Sequence, residues 1–229
     1  MTEKTNIEFH NVRFCYGEVC AVKGVNFSLP PHQLTVFVGP NGGGKSTLIK
    51  LLIGLLKPQE GTVSCGEHIE IGYVPQNFPF DTTFPLTVEE MVLQGTLTKK
   101  IHPFARYGAR QKDIAANAIR RVGLEGYEQR GIGQLSGGQL QRAVIARTFA
   151  SSADIIVLDE PDACLDIDAA RELYGILRSL KDEKTILLAS HNINAALDIA
   201  DKALYVNKTV REYASPHALR DELKGGISI

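Results

Sequence analysis

An apolar run, Leu34-Thr-Val-Phe-Val-Gly39, leads into Gly39-Pro-Asn-Gly-Gly-Gly-Lys-Ser46, and a second apolar stretch starts at Thr47. No other feature restricts the fold as tightly. The pattern GxxxxGK[ST] lets successive backbone N–H groups wrap phosphate oxygens, but only when a strand delivers the loop and a helix leaves it with its positive end toward the anion. Both flanks meet that condition. LTVFVG is nearly all apolar, as a parallel strand covered on both faces must be. TLIKLLIGLL predicts a helix, with Lys57-Pro58 as its stop. Gly39, Pro40, Asn41, Gly42, Gly43, Gly44, Lys45, Ser46 and Thr47 are therefore the candidate cradle for a nucleoside triphosphate. Lys45 would neutralise phosphate charge and the Ser46 hydroxyl would ligate Mg2+.

The rest of the chain fits an open α/β sheet. Ile155-Ile-Val-Leu-Asp-Glu-Pro161 predicts a buried strand ending in two acids, and carboxyl ends of parallel strands are where such sheets bind ligands. By itself the pair reads equally as acids at a solvated strand end. Behind a phosphate loop, Asp159 is placed to hold Mg2+ and Glu160 to orient and polarise an attacking water. Gln76 follows the strand IGYVP and His191 follows TILLAS. Gln76 could reach the metal or the water, and His191 the γ-phosphate, but taken singly they read as a turn residue and a structural histidine.

Strand–helix alternation also runs through a helix from about Asp168 to Leu180, a helix near Ala195 and the strand ALYV, which argues for a parallel sheet with right-handed crossovers. The tail SPHALRDELK predicts a short helix with Ser215 as cap and Pro216 in its first turn. Before the phosphate loop the pattern is different. Ile7 and Phe9, then Val12, Phe14 and Tyr16, then Val25, Phe27 and Leu29 alternate with period two, the mark of strands with one wet face. Short strands are expected around 62–65 and 69–74. From about 77 to 134 helical signals take over: a capping box with Thr87 and Glu90, a basic stretch TKKIHPFARYGARQK, and DIAANAIRRVGL with Ile114, Ala118 and Val122 on one face.

Composition excludes more than it selects. With 25 Lys plus Arg against 26 Asp plus Glu in 229 residues, the net charge of −1 gives no electrostatic reason to expect nucleic acid. No apolar run approaches the ~20 residues that span a bilayer, so work at a membrane would need another subunit. The N-terminus is charged and lacks a signal-peptide core. Cys15, Cys20, Cys65 and Cys164 show no CxxC spacing and are expected as reduced thiols of a cytosolic protein rather than zinc ligands. His10, His32, His68, His102 and His217 are scattered.

A second helix start stands out at Leu135-Ser-Gly-Gly-Gln-Leu-Gln-Arg142. Ser136 and Gln139 fit a capping box, which would make this an ordinary helix with Leu140, Val144, Ile145 and Thr148 packing inward. A cap does not need Gly137 and Gly138, however, each of which weakens a helix by roughly 1 kcal/mol relative to Ala. Close approach by another body would explain them. Because the phosphate loop already encloses one side of a nucleotide, that body is expected to be a nucleotide held by a second copy, in a head-to-tail dimer with two composite sites.

At this point the whole chain resembles an ATP-binding cassette ATPase, the nucleotide-binding subunit of an ABC transporter. GPNGGGKST, the Gln of VPQ, LSGGQ, IIVLDEP, CLD and SH occur in the family's order. The resemblance implies a P-loop NTPase core of mixed, mainly parallel sheet (1–76 and 151–229), an N-terminal antiparallel β subdomain, and an inserted α-helical subdomain (about 77–150) carrying the signature. It implies that Tyr16 stacks on adenine, that Gln76 links the metal site to the permease, and that Ser136, Gly137, Gly138 and Gln139 cap the partner's ATP. Asp166 would lie in the loop between protomers and His191 would be the switch histidine. ATP and Mg2+ are the implied ligands. Lys45, Gln76, Glu160 and His191 are the implied catalytic set, with Ser46, Gln76 and Asp159 around the metal. Asp162, Cys164 and Asn192 depart from the common pattern. None of the three removes a catalytic group, and a charge at Asp162 is expected to alter the dimer seam slightly.

The stretch GYVPQNFPFDTTFPLTVEEMVLQG resembles ATPases of zinc, manganese or iron importers. The resemblance therefore implies a peripheral subunit on the cytoplasmic face of the membrane. It would dock on integral permease subunits served by an extracytoplasmic solute-binding protein. Iron-chelate or vitamin importers and exporters are the alternatives. A non-transport cassette is disfavoured by the absence of a heptad insert, a second cassette or a basic excess.

Overall fold

The computed structural model describes residues 7–66, 68–76, 84–97, 107–163 and 165–224. Strand β1 (Ile7–Tyr16) pairs antiparallel with β2 (Val19–Leu29) on one edge and with β4 (Glu60–Ser64) on the other. The inward residues change parity, from Ile7 and Phe9 to Val12, because the register shifts between Phe9 and Val12. Asn11 sits there with φ +48, and the extra residue bends the strand without exposing its apolar face.

Next to the turn that closes this hairpin Cys15 faces Cys20 in register, with Cα atoms 3.8 Å apart, and the two are joined by a disulfide. This corrects the expectation of reduced thiols at those positions. Five-residue spacing carries no signal of its own, whereas hairpin register puts the two side chains opposite each other. Cys65 is free and exposed; Cys164 lies outside the described residues.

The second sheet has the order β5 (Ile71–Val74), β6 (Ile155–Asp159), β7 (Thr185–Ala189), β3 (Leu34–Val38), β8 (Lys202–Asn207), β9 (Thr209–Glu212). All neighbours are parallel except β9, which returns antiparallel along β8. Every residue of β3, β6 and β7 is buried, as near-continuous apolar strands require. Their side chains alternate between two cores. Val36, Val38, Ile156, Leu158, Ile186 and Leu188 point into one. Phe37, Ile155, Val157, Leu187 and Ala189 join β1, β2 and the first helix in the other. The registers Phe37–Ala189 and Asp159–Ala189 bring the carboxyl ends of β3, β6 and β7 to one edge. The segments that follow those strands are the phosphate loop, the acid pair and the histidine. β9 was not foreseen, since its four residues carry no apolar alternation.

Helix α1 (Lys45–Leu52) starts where the glycine loop ends and stops at Gly54, φ +76, rather than running on to Pro58 as predicted. A left-handed glycine terminates a helix without needing the proline. The middle segment supplies α2 (Val88–Gly95), α3 (Ala109–Arg121) and α4 (Gly137–Phe149). The Thr87–Glu90 capping box is closed in both directions. The buried face of α3 is Ala115, Ala118 and Ile119, continued by Val122; Ile114 is turned outward, against expectation. The sequence window has apolar residues at both Ile114 and Ile119, and only packing against α2 and α4 decides which set is covered. Val144, Ile145 and Thr148 of α4 are buried as expected. Most of the basic stretch, with His102, lies outside the described residues. Helices α5 (Ile167–Leu180), α6 (Ile193–Ile199) and α7 (Pro216–Lys224) complete the chain, and Ser215 accepts the Ala218 N–H at 3.1 Å to cap α7.

Candidate functional site

The phosphate loop is held open by close backbone approach. Gly39 has φ +148, and a Cβ there would lie 2.0 Å from the Val206 carbonyl oxygen. Gly44, φ +107, precedes α1 with a Cβ position 2.7 Å from the Ala21 oxygen. Neither position admits a side chain. The Lys45 ammonium is folded back, donating to the carbonyls of Gly39 (2.9 Å) and Pro40 (3.1 Å). Burial lowers its pKa, and the nearby charges of Glu160 and Asp159 oppose that.

The loop opens into a cavity of about 300 Å3 lined by Tyr16, Val19, Cys20, Asn41 to Thr47, Glu160 and Lys208. Tyr16, half exposed at the end of β1, supplies an aromatic face on its rim. Val19, Cys20 and Lys208 were missed from sequence. Lys208 comes far along the chain, and the β8–β9 turn carries it back to the loop. Its N–H donates to Gly43 O and its carbonyl accepts from Lys23 N–H, each at 2.7 Å.

Opposite Lys45 stand the acids. Ser46 Oγ donates to Asp159 Oδ1 at 3.1 Å. Asp159 is 3 % exposed, and burial chiefly raises its pKa, with Glu160 adding to the rise and Ser46, Lys50 and Lys45 opposing it. Glu160 is 6 % exposed and takes φ +51, a left-handed conformation that costs a non-glycine residue of order 1–3 kcal/mol. Its N–H is tied to Ala189 O at 2.8 Å. Its carboxylate accepts from the Gln76 amide and lies 2.6 Å from His191 Nε2. Gln76, Asp159, Glu160, His191, Lys45 and Ser46, which are spread over most of the chain, thus meet at one edge of the sheet.

Among the described residues no group of three or more His, Cys, Asp or Glu is placed to hold a metal ion. One buried carboxylate beside a hydroxyl, facing a phosphate cradle, nevertheless fits Mg2+, which keeps waters and takes phosphate oxygens as ligands.

Ser136, Gly137, Gly138 and Gln139 are elsewhere. None lines the cavity beside the glycine loop of its own chain. The capping box is closed: Gln139 N–H donates to Ser136 Oγ at 3.3 Å, and Ser136 N–H to Gln139 Oε1 at 3.0 Å. The two glycines differ. A Cβ on Gly138 would come 3.1 Å from Leu165 Cδ2, an internal reason for its smallness, whereas a Cβ on Gly137 would meet nothing within 4 Å. Asp166 caps α5 by accepting the Ala169 N–H at 2.8 Å. With Glu160, Asp162, Ile167 and His191 it lines a second cavity of about 330 Å3. The half-buried Asp162 bonds its carboxylate to Tyr174 and Ser190. Burial pushes the Tyr174 phenol well up, so it remains a donor.

A glycine cradle at the head of a helix, a serine–aspartate pair beside it and a glutamate clasped by glutamine and histidine define a nucleotide-hydrolysing P-loop protein. Residues 22–163 match the family described as ABC transporter. The zinc uptake system ATP-binding protein ZurA of Listeria monocytogenes is 36 % identical over 225 residues, covering 93 % of this chain and 87 % of that protein. The manganese transport system ATP-binding protein MntB of the same species is 37 % identical over 209 residues, 88 % of this chain and 87 % of that one. The dimeric structure of an ATP-binding cassette in a post-hydrolysis state, bound to ADP and phosphate, superposes with TM-score 0.74 at 28 % identity over 90 % of this chain and 97 % of that one. The chain belongs to the ABC transporter family: it is an ATP-binding cassette ATPase.

Proposed function

We propose that this ATPase powers uptake of a divalent metal cation, zinc or manganese, through a separate membrane permease. It would work as a peripheral subunit on the cytoplasmic face of the membrane. The observation that carries the reading is the pair of relatives, ZurA and MntB, each similar to this chain over 88 % or more of its length. No helix among the described residues is long and apolar enough to cross a membrane, which is consistent with a pathway supplied by another subunit.

In this reading the loop amides and Lys45 hold the β- and γ-phosphates, and Lys45 exchanges its two carbonyl partners for phosphate oxygens. Tyr16 stacks on the base. Ser46, Asp159 and Gln76 would hold Mg2+, which would neutralise phosphate charge. Glu160 accepts a proton from water as its oxygen attacks the γ-phosphorus in line and the bond to ADP breaks. His191 steadies Glu160 and reaches the γ-phosphate.

The open face of Gly137, with Ser136, Gly138 and Gln139, closes on the nucleotide of a second copy in a head-to-tail dimer, and Asp166 lies on the seam. ATP draws the two copies together and loss of phosphate releases them. The helical subdomain, about 77–150, passes the motion to the permease, which receives its cargo from an extracytoplasmic solute-binding protein.

The test is the elemental content of cells carrying Glu160→Gln in place of the native chain, grown with limiting zinc, manganese or iron. A fall in zinc or manganese, restored by the native chain, is expected. A rise would turn the reading to export, and unchanged metals would leave an ATPase with a different cargo, such as an iron chelate or a vitamin.

A further inference from the structure

Asp162 stands two residues beyond Glu160, and Ser190 immediately precedes His191. Their side chains meet. The Asp162 carboxylate accepts the Tyr174 O–H at 2.9 Å and the Ser190 O–H at 3.0 Å, and the two hydroxyl oxygens are themselves 2.8 Å apart. Ser190 Oγ also accepts the backbone N–H of Asn192 at 2.9 Å. Tyr174 is 4 % and Ser190 1 % exposed, so this cluster is packed between α5 and the end of β7. The two hydroxyls have two protons between them, and the Asp162 carboxylate, which carries none, is able to accept both.

The cluster bears directly on the site. The His191 side chain is 46 % exposed, and its ring meets Glu160 at 2.6 Å. Little packing holds the ring in place, so its position depends on the backbone of residues 190–192. One tie joins the two loops near Glu160, from its N–H to Ala189 O. The Asp162–Ser190–Tyr174 cluster is a second tie, at the residue next to the histidine.

We propose that Asp162 is a positioning residue for hydrolysis. It locks the histidine loop to the acid loop, so that His191 and Glu160 stay in register when nucleotide arrives. The proposal rests on the roles given above to Glu160 and His191. It differs from a seam charge in acting within one protomer.

The experiment is a mutant cycle in the full chain, with kcat and KM for MgATP measured alongside thermal unfolding. Asp162→Ala is expected to lower kcat about tenfold, less than the ~10²-fold that an ångström of misplacement can cost, with KM held within about twofold. Asp162→Asn can accept from Tyr174 and donate to Ser190, so it is expected to restore kcat to within about threefold of wild type. In a His191→Ala background, Asp162→Ala is expected to cost nothing further. Tyr174→Phe keeps the Ser190 bond and is expected to show a smaller kcat loss, again absent without His191, so the cycle survives a poorly folding alanine variant. Equal losses in both backgrounds, or a loss confined to KM or melting temperature, would overturn the role of Asp162 alone. Wild-type kcat in His191→Ala itself would overturn the histidine's role, and this proposal with it.

Discussion

Gly137→Ala separates what the chain needs for itself from what it offers a second copy. Gly137 is the first residue of α4, and an added Cβ there meets nothing within 4 Å. The folded single chain therefore loses no contact, and the helix gains by exchanging glycine for alanine. That exchange is worth about 0.5–1 kcal/mol inside a helix, so a first-turn position should sit near the lower figure. For a chain of this size the melting temperature should rise by roughly 1–2 °C. The composite site should pay for the same methyl. Phosphate oxygens bonding to the α4 N–H groups must come within about 2.9 Å of nitrogen, and a Cβ stands in their path. Removing one such donor typically lowers kcat by about 10²–10³, and the dimer would lose it at both sites. Turnover should therefore fall at least ~10²-fold, and ATP-driven dimerisation in a Glu160→Gln background should disappear by light scattering. Gly138→Ala is the control. Its Cβ would lie 3.1 Å from Leu165 Cδ2, a contact that opposes the helix gain, so its melting temperature should stay below that of Gly137→Ala. Wild-type turnover by Gly137→Ala would refute a nucleotide opposite this helix end, and a fall in its melting temperature would refute the open-space reasoning.

Other expectations can be measured on the same protein. Glu160→Gln keeps the side-chain shape but removes the base, so hydrolysis should drop roughly 10²–10⁴-fold while an ATP-bound dimer persists; a chain that stays monomeric at saturating ATP contradicts this. Burial raises the Asp159 pKa, so between its unfolded and folded values the native state binds more protons, and stability falls as pH rises through that window. Asp159→Asn should therefore melt above wild type at pH 7 without nucleotide, with the advantage shrinking as pH drops through the window, and should not hydrolyse ATP. A gap that is the same at every pH would exclude buried charge as the cause. Gly39→Ala drives a Cβ to 2.0 Å from a backbone oxygen at φ +148. Such overpacking and strain cost at least about 2 kcal/mol, a melting temperature about 4–8 °C lower; a variant as stable as wild type would show that the β8 backbone yields freely.

Much of the site was legible because its chemistry is local. Lys45 and Ser46 follow the glycines directly, Asp159 and Glu160 end an apolar strand, and the Ser136–Gln139 box is complete within four residues. Short-range geometry of this kind depends on spacing, and spacing is what a sequence displays. Lys208, the Cys15–Cys20 pair and the Asp162–Ser190–Tyr174 cluster were not legible, because each depends on which strand lies beside which and in what register. The same limit explains the outward Ile114, since its helix offers more than one apolar face and the partners choose between them.

The sequence by itself determined that this chain builds a phosphate loop on a buried parallel strand, follows it with acids at another strand end, and carries a second glycine-opened helix. Backbone sterics account for the glycines, and burial for the apolar strands. Only the tertiary structure decided that β3, β6 and β7 lie side by side, which gathers Lys45, Asp159, Glu160 and His191 at one edge and leaves Gly137 facing open space. Strand order is set by how separate apolar faces cover one another, a sum over many distant contacts that no short stretch of residues encodes.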